Sequence, residues 1–298
     1  MDPAADRTLT FPGPASPGHT LAPHRRGPRD PCLRIVDGQM WRTSLQRSGP
    51  VTARITRTTP DTVHCRAWGE GAAEFLDNLP ALLGADDDAT GFAPDHPVVA
   101  AAHRAVPHLR IGRTGRVLEA LIPAVLEQRV PGADSFRSWR LLVTRFGSPA
   151  PGPAPDGMRV PPAPQVWRRI PSWEFHRANV DPGRARTLVG CAARAESLER
   201  QTGAAALTSL PGVGVWTAAE TAQRAFGDTD ALSVGDYHLA ANIGTALLGR
   251  PVDDEEMVTL LEPMRPHRYR VVRLLEVAGL ARRPRRGPRL AVQRISEL

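Results

Sequence analysis

The residues best placed for chemistry form two short runs. The first is Leu210-Pro211-Gly212-Val213-Gly214-Val215-Trp216-Thr217-Ala218 and the second is Val234-Gly235-Asp236-Tyr237-His238. Apolar periodicity predicts a helix on each side of the Pro-Gly-Val-Gly turn, at Ala204–Ser209 and at 215–226. Glycine lets a backbone turn tightly and approach a ligand closely. A turn that opens a helix also presents unpaired amide N–H groups at the positive end of the helix dipole. Such an end binds a phosphate without any side-chain charge. A loop joining two helices has the same composition, so the turn alone decides nothing. Asp236 opens the next predicted helix, 237–248, about twenty residues past the turn. A carboxylate there can cap the helix. It can also stand as a fixed negative charge beside a centre that becomes positive during a reaction. The two uses are compatible.

The elements that must position these residues are readable from patterning. Residues 1–30 are rich in Pro, Gly and Arg with few apolar side chains, which predicts a disordered tail. Strands are expected at Leu33–Val36, 40–45, 51–57 and Thr62–Trp68, with Asp37-Gly38 as a tight hairpin turn. A helix over 72–83 packs on that sheet through Phe75, Leu76, Leu79, Leu82 and Leu83. Asp86, Asp87 and Asp88 then read as an acidic surface loop rather than a metal site. From residue 97 the periodicity is helical. One apolar stripe is Val117, Leu118, Leu121, Ile122, Val125 and Leu126; another is Phe136, Trp139, Val143 and Phe146. Further helices are expected at 184–198, 253–261 and 268–278, and Asp253 with Glu256 suggests a capping box. A Pro-rich loop covers 148–164, and 281–298 is a basic tail. The fold class is therefore α+β. A small domain over 31–95, an antiparallel sheet with a helix, precedes a mostly helical domain over 96–280.

Composition narrows the partners. The formal charge is +7, and all 38 basic residues are arginine, with no lysine in the chain. That balance suits a polyanion such as nucleic acid, although an Arg-, Ala-, Pro- and Gly-biased composition produces the same charge without one. Cys32, Cys65 and Cys191 form no CxxC pair, so neither a disulfide framework nor an iron–sulfur cluster is expected. His238 and His267 lack metal-ligand spacing. Met1-Asp2-Pro3 begins no signal peptide, and no apolar run reaches the ~20 residues of a membrane span. The expectation is a cytoplasmic, nucleoid-associated monomer with no membrane contact and no catalytic metal.

The hairpin, the helix after it and Val234-Gly235-Asp236-Tyr237 together resemble the signature of the helix-hairpin-helix DNA glycosylase superfamily. Residues 118–130 resemble the helix of that family whose Gln-containing turn enters DNA, and the sheet with its helix resembles the N-terminal domain of the 3-methyladenine DNA glycosylase II type. The resemblance spans residues 31 to about 289 and implies a role for each motif. Asp236 would be catalytic. Leu210, Pro211, Gly212, Val213, Gly214 and Thr217 would grip duplex DNA carrying a damaged base, and the turn at Gln128 and Arg129 would fill the gap left by the everted nucleotide. Members with an apolar residue at the place of Arg129 leave that position open between wedge, phosphate contact and helix cap. A flipped cationic base stacks on aromatic faces, for which Trp216 and Tyr237 are candidates, with Trp173 and Phe175 as a second pair. Strand-nicking members carry a lysine where this chain has Trp216. A Schiff base needs an amine, so the expected activity is base removal without lyase chemistry. No cofactor is expected beyond the family's monovalent cation, near the carbonyls of Leu210, Gly212 and Val215. Competing expectations are a glycosylase for uracil or hypoxanthine, a non-catalytic hairpin clamp on DNA, and a basic helical scaffold.

Overall fold

The computed structural model describes residues 4–281 and 294–295. The rest of the basic C-terminal run lies outside the described residues. Strands Ala4–Thr10 (β1), Leu33–Val36 (β2), Gln39–Leu45 (β3), Pro50–Arg57 (β4) and Thr62–Trp68 (β5) form one antiparallel sheet in the order β1-β5-β4-β3-β2. Asp37 and Gly38 join β2 to β3 with φ of +50° and +72°, the geometry that a two-residue hairpin demands. After the short helix Pro17–Leu21 (α1), helix Ala72–Leu82 (α2) lays Phe75, Leu76 and Leu79 on the sheet, against Val51, Ala53, Ile55, Val63 and Cys65.

The predicted disordered tail is corrected for residues 4–30. β1 pairs along the β5 edge, from Ala4 opposite Trp68 to Thr10 opposite Thr62. Phe11, Ala15 and Leu21 then enter the sheet core. Backbone pairing with an open strand edge does not depend on side-chain polarity, and three apolar anchors suffice. The polar side chains are satisfied where they are buried. Asp30, only 1% exposed, accepts the backbone N–H groups of Arg26 and Cys32 and the Trp139 indole N–H. Arg26 pairs with Glu127 at 2.8 Å.

The helical part continues with Pro97–Ala105 (α3), Val117–Leu126 (α4), Gly132–Phe146 (α5), Pro164–Arg169 (α6), Ser172–Arg177 (α7), Pro182–Ala193 (α8) and Ala195–Leu198 (α9). Val215–Ala225 (α10), Leu239–Leu248 (α11), Asp254–Leu261 (α12) and Arg268–Val277 (α13) complete it. The Pro-rich loop carries two short strands, Ser148–Pro149 (β6) and Arg159–Val160 (β7). Three local differences from the sequence pattern stand out. The run 184–198 divides at Arg194, Ala204–Ser209 is a 3-10 helix, and α11 starts at Leu239 rather than 237.

The expected single helical domain has two apolar cores. One joins α4, α5 and α8 with Val213, Ala218 and Ala225; the other joins α3, α11, α12 and α13. α3 precedes α4 in the chain yet packs with the later helices. Periodicity reveals which face of a helix is buried but not its partner, so this division is invisible in the pattern. The acidic run is likewise not a plain surface loop. Asp87 forms a buried ion pair with Arg270 on α13 and accepts the Ile111 amide, while Asp86 pairs with Arg113. Arg42 and Ser44 on β3 both bond Glu119 on α4, which fastens the sheet to the first helical core. No helix among the described residues is long and apolar enough to cross a membrane.

Candidate nucleic-acid interface and active site

α10 organises the site from both ends of one short element. Its N-terminus is the glycine hairpin. Gly212 sits at φ +84°, and a Cβ there would meet the Thr187 hydroxyl at 2.0 Å, so only glycine fits. Gly214 precedes the first turn, and no side chain caps it. The amides of Gly214, Val215 and Trp216 find no hydrogen-bond partner among the described residues. Unpaired donors therefore point out of the helix start, where the dipole is positive. Val215 beside them is 65% exposed.

The side of α10 holds the loop that carries Asp236. Gln223 donates to the Ala231 carbonyl and to Ser233, and Ser233 donates to Glu220. Asp228 accepts the amides of Asp230 and Ala231, and Arg265 and Arg268 clamp Asp230 from the other side. Asp254 at the start of α12 accepts the Gly235 amide at 3.1 Å. These contacts bring Asp236 back to the first turn of α10. Its Oδ2 accepts the Trp216 indole N–H at 3.2 Å. Its Oδ1 accepts the amides of His238 and Leu239 at 2.8 and 2.9 Å. The helix-capping contact and a half-buried, solvent-reachable position thus coexist. Asp236 is neither buried nor remote from the hairpin: it is half-buried, and Tyr237 next to it is 74% exposed.

The remaining candidates separate by burial. Pro211, Gly212 and Gly214 are exposed, whereas Val213 and Thr217 are buried and Leu210 packs against the first helical core. Thr217 is thus a brace, not a contact residue. Gln128, expected at the DNA gap, is turned inward: its amide donates to the Gly212 carbonyl at 2.9 Å and to Thr217 at 2.8 Å. Arg129 remains exposed, at φ +54°, on the same turn. The second aromatic pair is corrected. Trp173 is 64% exposed and Phe175 is 1% exposed in the core. Two positions apart on α7 they face opposite ways, so they cannot line one pocket. His267 is buried, edge-on to Phe92 at 5.2 Å, and burial with Arg270 nearby lowers its pKa.

Asp254, Glu220, Gln223 and Ser233 escaped the sequence reading. Each acts through a fold contact with the Asp236 loop, and the only local hint was Gly235, which sits at φ +88°. For a monovalent cation, the Leu210 and Gly212 carbonyls accept the Val213 amide and the Gln128 amide. Each keeps a second lone pair with which it could also face a cation. No group of three or more His, Cys, Asp or Glu among the described residues could hold a metal.

The same fold, a small sheet packed on helical cores, is found in solved structures of DNA glycosylases. The fold matches the 3-methyladenine DNA glycosylase of Archaeoglobus fulgidus with a TM-score of 0.74 and 16% identity, over 92% of this chain and 98% of that one. MBOgg1 in complex with a low-affinity DNA ligand matches at 0.72 and 14%, over 94% and 98%. The apo form of the Clostridium acetobutylicum 8-oxoguanine glycosylase/lyase matches at 0.70 and 12%, over 93% and 98%. In sequence, no family profile and no curated protein matches this chain.

Proposed function

We propose that this chain is a DNA glycosylase that hydrolyses the N-glycosidic bond of alkylated, 3-methyladenine-like bases in duplex DNA, as a step of base excision repair. One observation carries the reading. Unpaired amides of the hairpin and the Asp236 carboxylate lie one indole apart, at the junction of two helical cores.

The hairpin amides and the positive helix end bind a backbone phosphate. Exposed Arg129 enters the gap left by the everted nucleotide, and Trp216 and Tyr237 offer faces to the cationic base. Asp236 Oδ1 is occupied by two backbone N–H groups, while Oδ2 carries only the Trp216 indole. Oδ2 is therefore the oxygen that faces the deoxyribose. As the bond from C1′ to the base nitrogen breaks, its electron pair leaves with the base and C1′ becomes cationic. The fixed carboxylate stabilises that charge and orients water toward C1′. The water oxygen bonds C1′, and its proton passes to the carboxylate. An alkylated purine is already cationic, departs neutral, and needs no acid. Trp216 is a positioning residue that fixes Oδ2. A monovalent cation, when bound, would be held by the carbonyls of Leu210, Gly212 and Val215 and would add positive charge at the phosphate.

Every basic side chain is an arginine, and a guanidinium does not form the Schiff base that lyase chemistry requires. The reading is a monofunctional enzyme acting as a monomer on cytoplasmic, nucleoid-associated DNA. The test is to incubate the protein with duplexes carrying 3-methyladenine, 7-methylguanine, hypoxanthine or uracil, then identify released base by mass spectrometry. The expected result is free methylated base, an uncut abasic strand and no borohydride-trapped adduct. Salt-sensitive DNA binding with no base released from any duplex would instead assign a non-catalytic clamp. Preferential release of uracil or hypoxanthine would reassign the lesion.

A further inference from the structure

A second basic surface begins just past Arg129, where α5 starts at Gly132. Arg137 and Arg140 lie three positions apart on α5 and so share a face. The N-terminal segment brings a third arginine to that face. A Cβ at Gly27 would meet the Phe136 ring at 3.0 Å, and Asp30 accepts the Trp139 indole N–H at 3.0 Å. The backbone between these two anchors carries Arg29 over the same turn of α5. Arg29 and Arg137 are exposed and Arg140 is half-buried. None of the three forms an ion pair or a side-chain hydrogen bond among the described residues. The carboxylates around them are taken or buried. Asp30 accepts the amides of Arg26 and Cys32, Glu127 pairs with Arg26, and Asp134 is buried. Burial, and then Arg29 and Arg137, lower the Arg140 pKa, as crowded like charges do.

We propose, resting on the DNA-binding reading above, that Arg29, Arg137 and Arg140 bind backbone phosphates of the duplex flanking the everted nucleotide. They would extend the DNA face from Arg129 along α5. Charge, length and continuity favour a nucleic-acid backbone as the occupant. Like charges three positions apart destabilise a helix, and no carboxylate of the fold relieves them, so the relieving anion comes from outside. A guanidinium is planar and weakly hydrated, which suits a phosphate. From Gly132 to Arg140 the helix rises about 12 Å. That length spans about three phosphates of one strand at about 3.4 Å each. Arg129 is exposed on the turn that leads into α5, and Gln128 of the same turn bonds the Gly212 carbonyl of the hairpin. Hairpin, turn and arginine cluster therefore follow one another without a break.

The test measures affinity for an undamaged, fluorescently labelled duplex across a range of salt concentrations. It compares the unaltered protein with Arg29→Gln, Arg137→Gln, Arg140→Gln and the triple variant. Each lost phosphate contact should flatten the slope of log affinity against log salt by about one. At fixed salt the triple variant should bind about tenfold more weakly or worse. Because the three cations repel one another, the triple variant should melt no lower than the unaltered protein; a merely structural role would lower its melting. Saturated with a duplex carrying an alkylated purine, it should release base at the unaltered rate, so that only the concentration dependence shifts. Arg66→Gln, at an exposed position of β5 on the sheet, should leave the slope unchanged. The proposal is overturned by an unchanged slope in the triple variant, or by an equal change in Arg66→Gln, which would make the effect one of net charge. An unchanged slope with melting that inorganic phosphate raises through the same three residues would assign the cluster to a free anion, and also overturns it. A protein that binds no duplex overturns this proposal together with the DNA reading. Duplex binding with the predicted slopes but no base release would end the glycosylase reading alone and support the arginine surface.

Discussion

Asp30 and Asp236 accept the same kinds of donor: two backbone N–H groups and one indole N–H. Asp30 takes Arg26, Cys32 and Trp139; Asp236 takes His238, Leu239 and Trp216. Their surroundings differ. Asp30 is sealed where the N-terminal segment meets α5, and Asp236 lies half-buried at the junction of two helical cores, beside a hairpin with unpaired amides. The same bonding immobilises charge in both places. In the first it holds the fold together, and in the second, under the proposed function, it would hold a charge ready for a ligand. What distinguishes the two carboxylates is access and neighbours, not their hydrogen-bond count.

That contrast can be broken by substitution. Asp30→Ala leaves the Trp139 indole and two backbone amides unmatched in the interior, so it should cost about 3 kcal/mol in denaturant unfolding. Asp236→Ala removes a cap at a wetter site and should cost only about 1 kcal/mol. Equal losses would mean that the two environments do not differ as described. Gly212→Ala forces a Cβ into Thr187 at a left-handed position. Duplex affinity measured by fluorescence anisotropy should fall on the order of 100-fold as the hairpin amides lose their geometry. Trp216→Phe keeps a ring but deletes the N–H that fixes Oδ2. The excision rate should drop about tenfold with nearly unchanged melting, as for loss of one hydrogen bond to a charged group. Gln128→Ala removes the brace between Gly212 and Thr217 and should weaken DNA binding by about threefold, a net effect under 1 kcal/mol. If Gln128 acted as the wedge instead, excision would suffer far more than binding.

The legible parts of the molecule were the local ones. Asp37-Gly38, the alternating strands and the Pro-Gly-Val-Gly turn announce themselves because the backbone needs those residue types there. Asp236 as a cap on the next helix was readable because a helix start follows it, and its bonds to the His238 and Leu239 amides match that reading. Residues 4–30 were not readable, because their order comes from the β5 edge and from Trp139 on α5. Gln128 as an inward brace, and Asp254 as a hold on Gly235, arise from contacts between distant segments. The pairing of Trp173 with Phe175 was a different kind of miss. Two helix positions apart point to opposite faces, so spacing alone argued against one shared pocket.

The most direct measurement is the single-turnover rate of base release from a duplex carrying one alkylated purine, compared between the unaltered protein and Asp236→Asn. Asparagine caps about as well as aspartate but carries no charge. Its NH2 cannot accept the Trp216 indole N–H that Oδ2 accepts, so the account predicts stability lowered only by about 1 kcal/mol, the worth of one half-buried hydrogen bond. It also predicts unchanged duplex affinity and a rate lower by on the order of 100- to 1,000-fold or more. An Asp236→Asn protein that releases base at the original rate would contradict it.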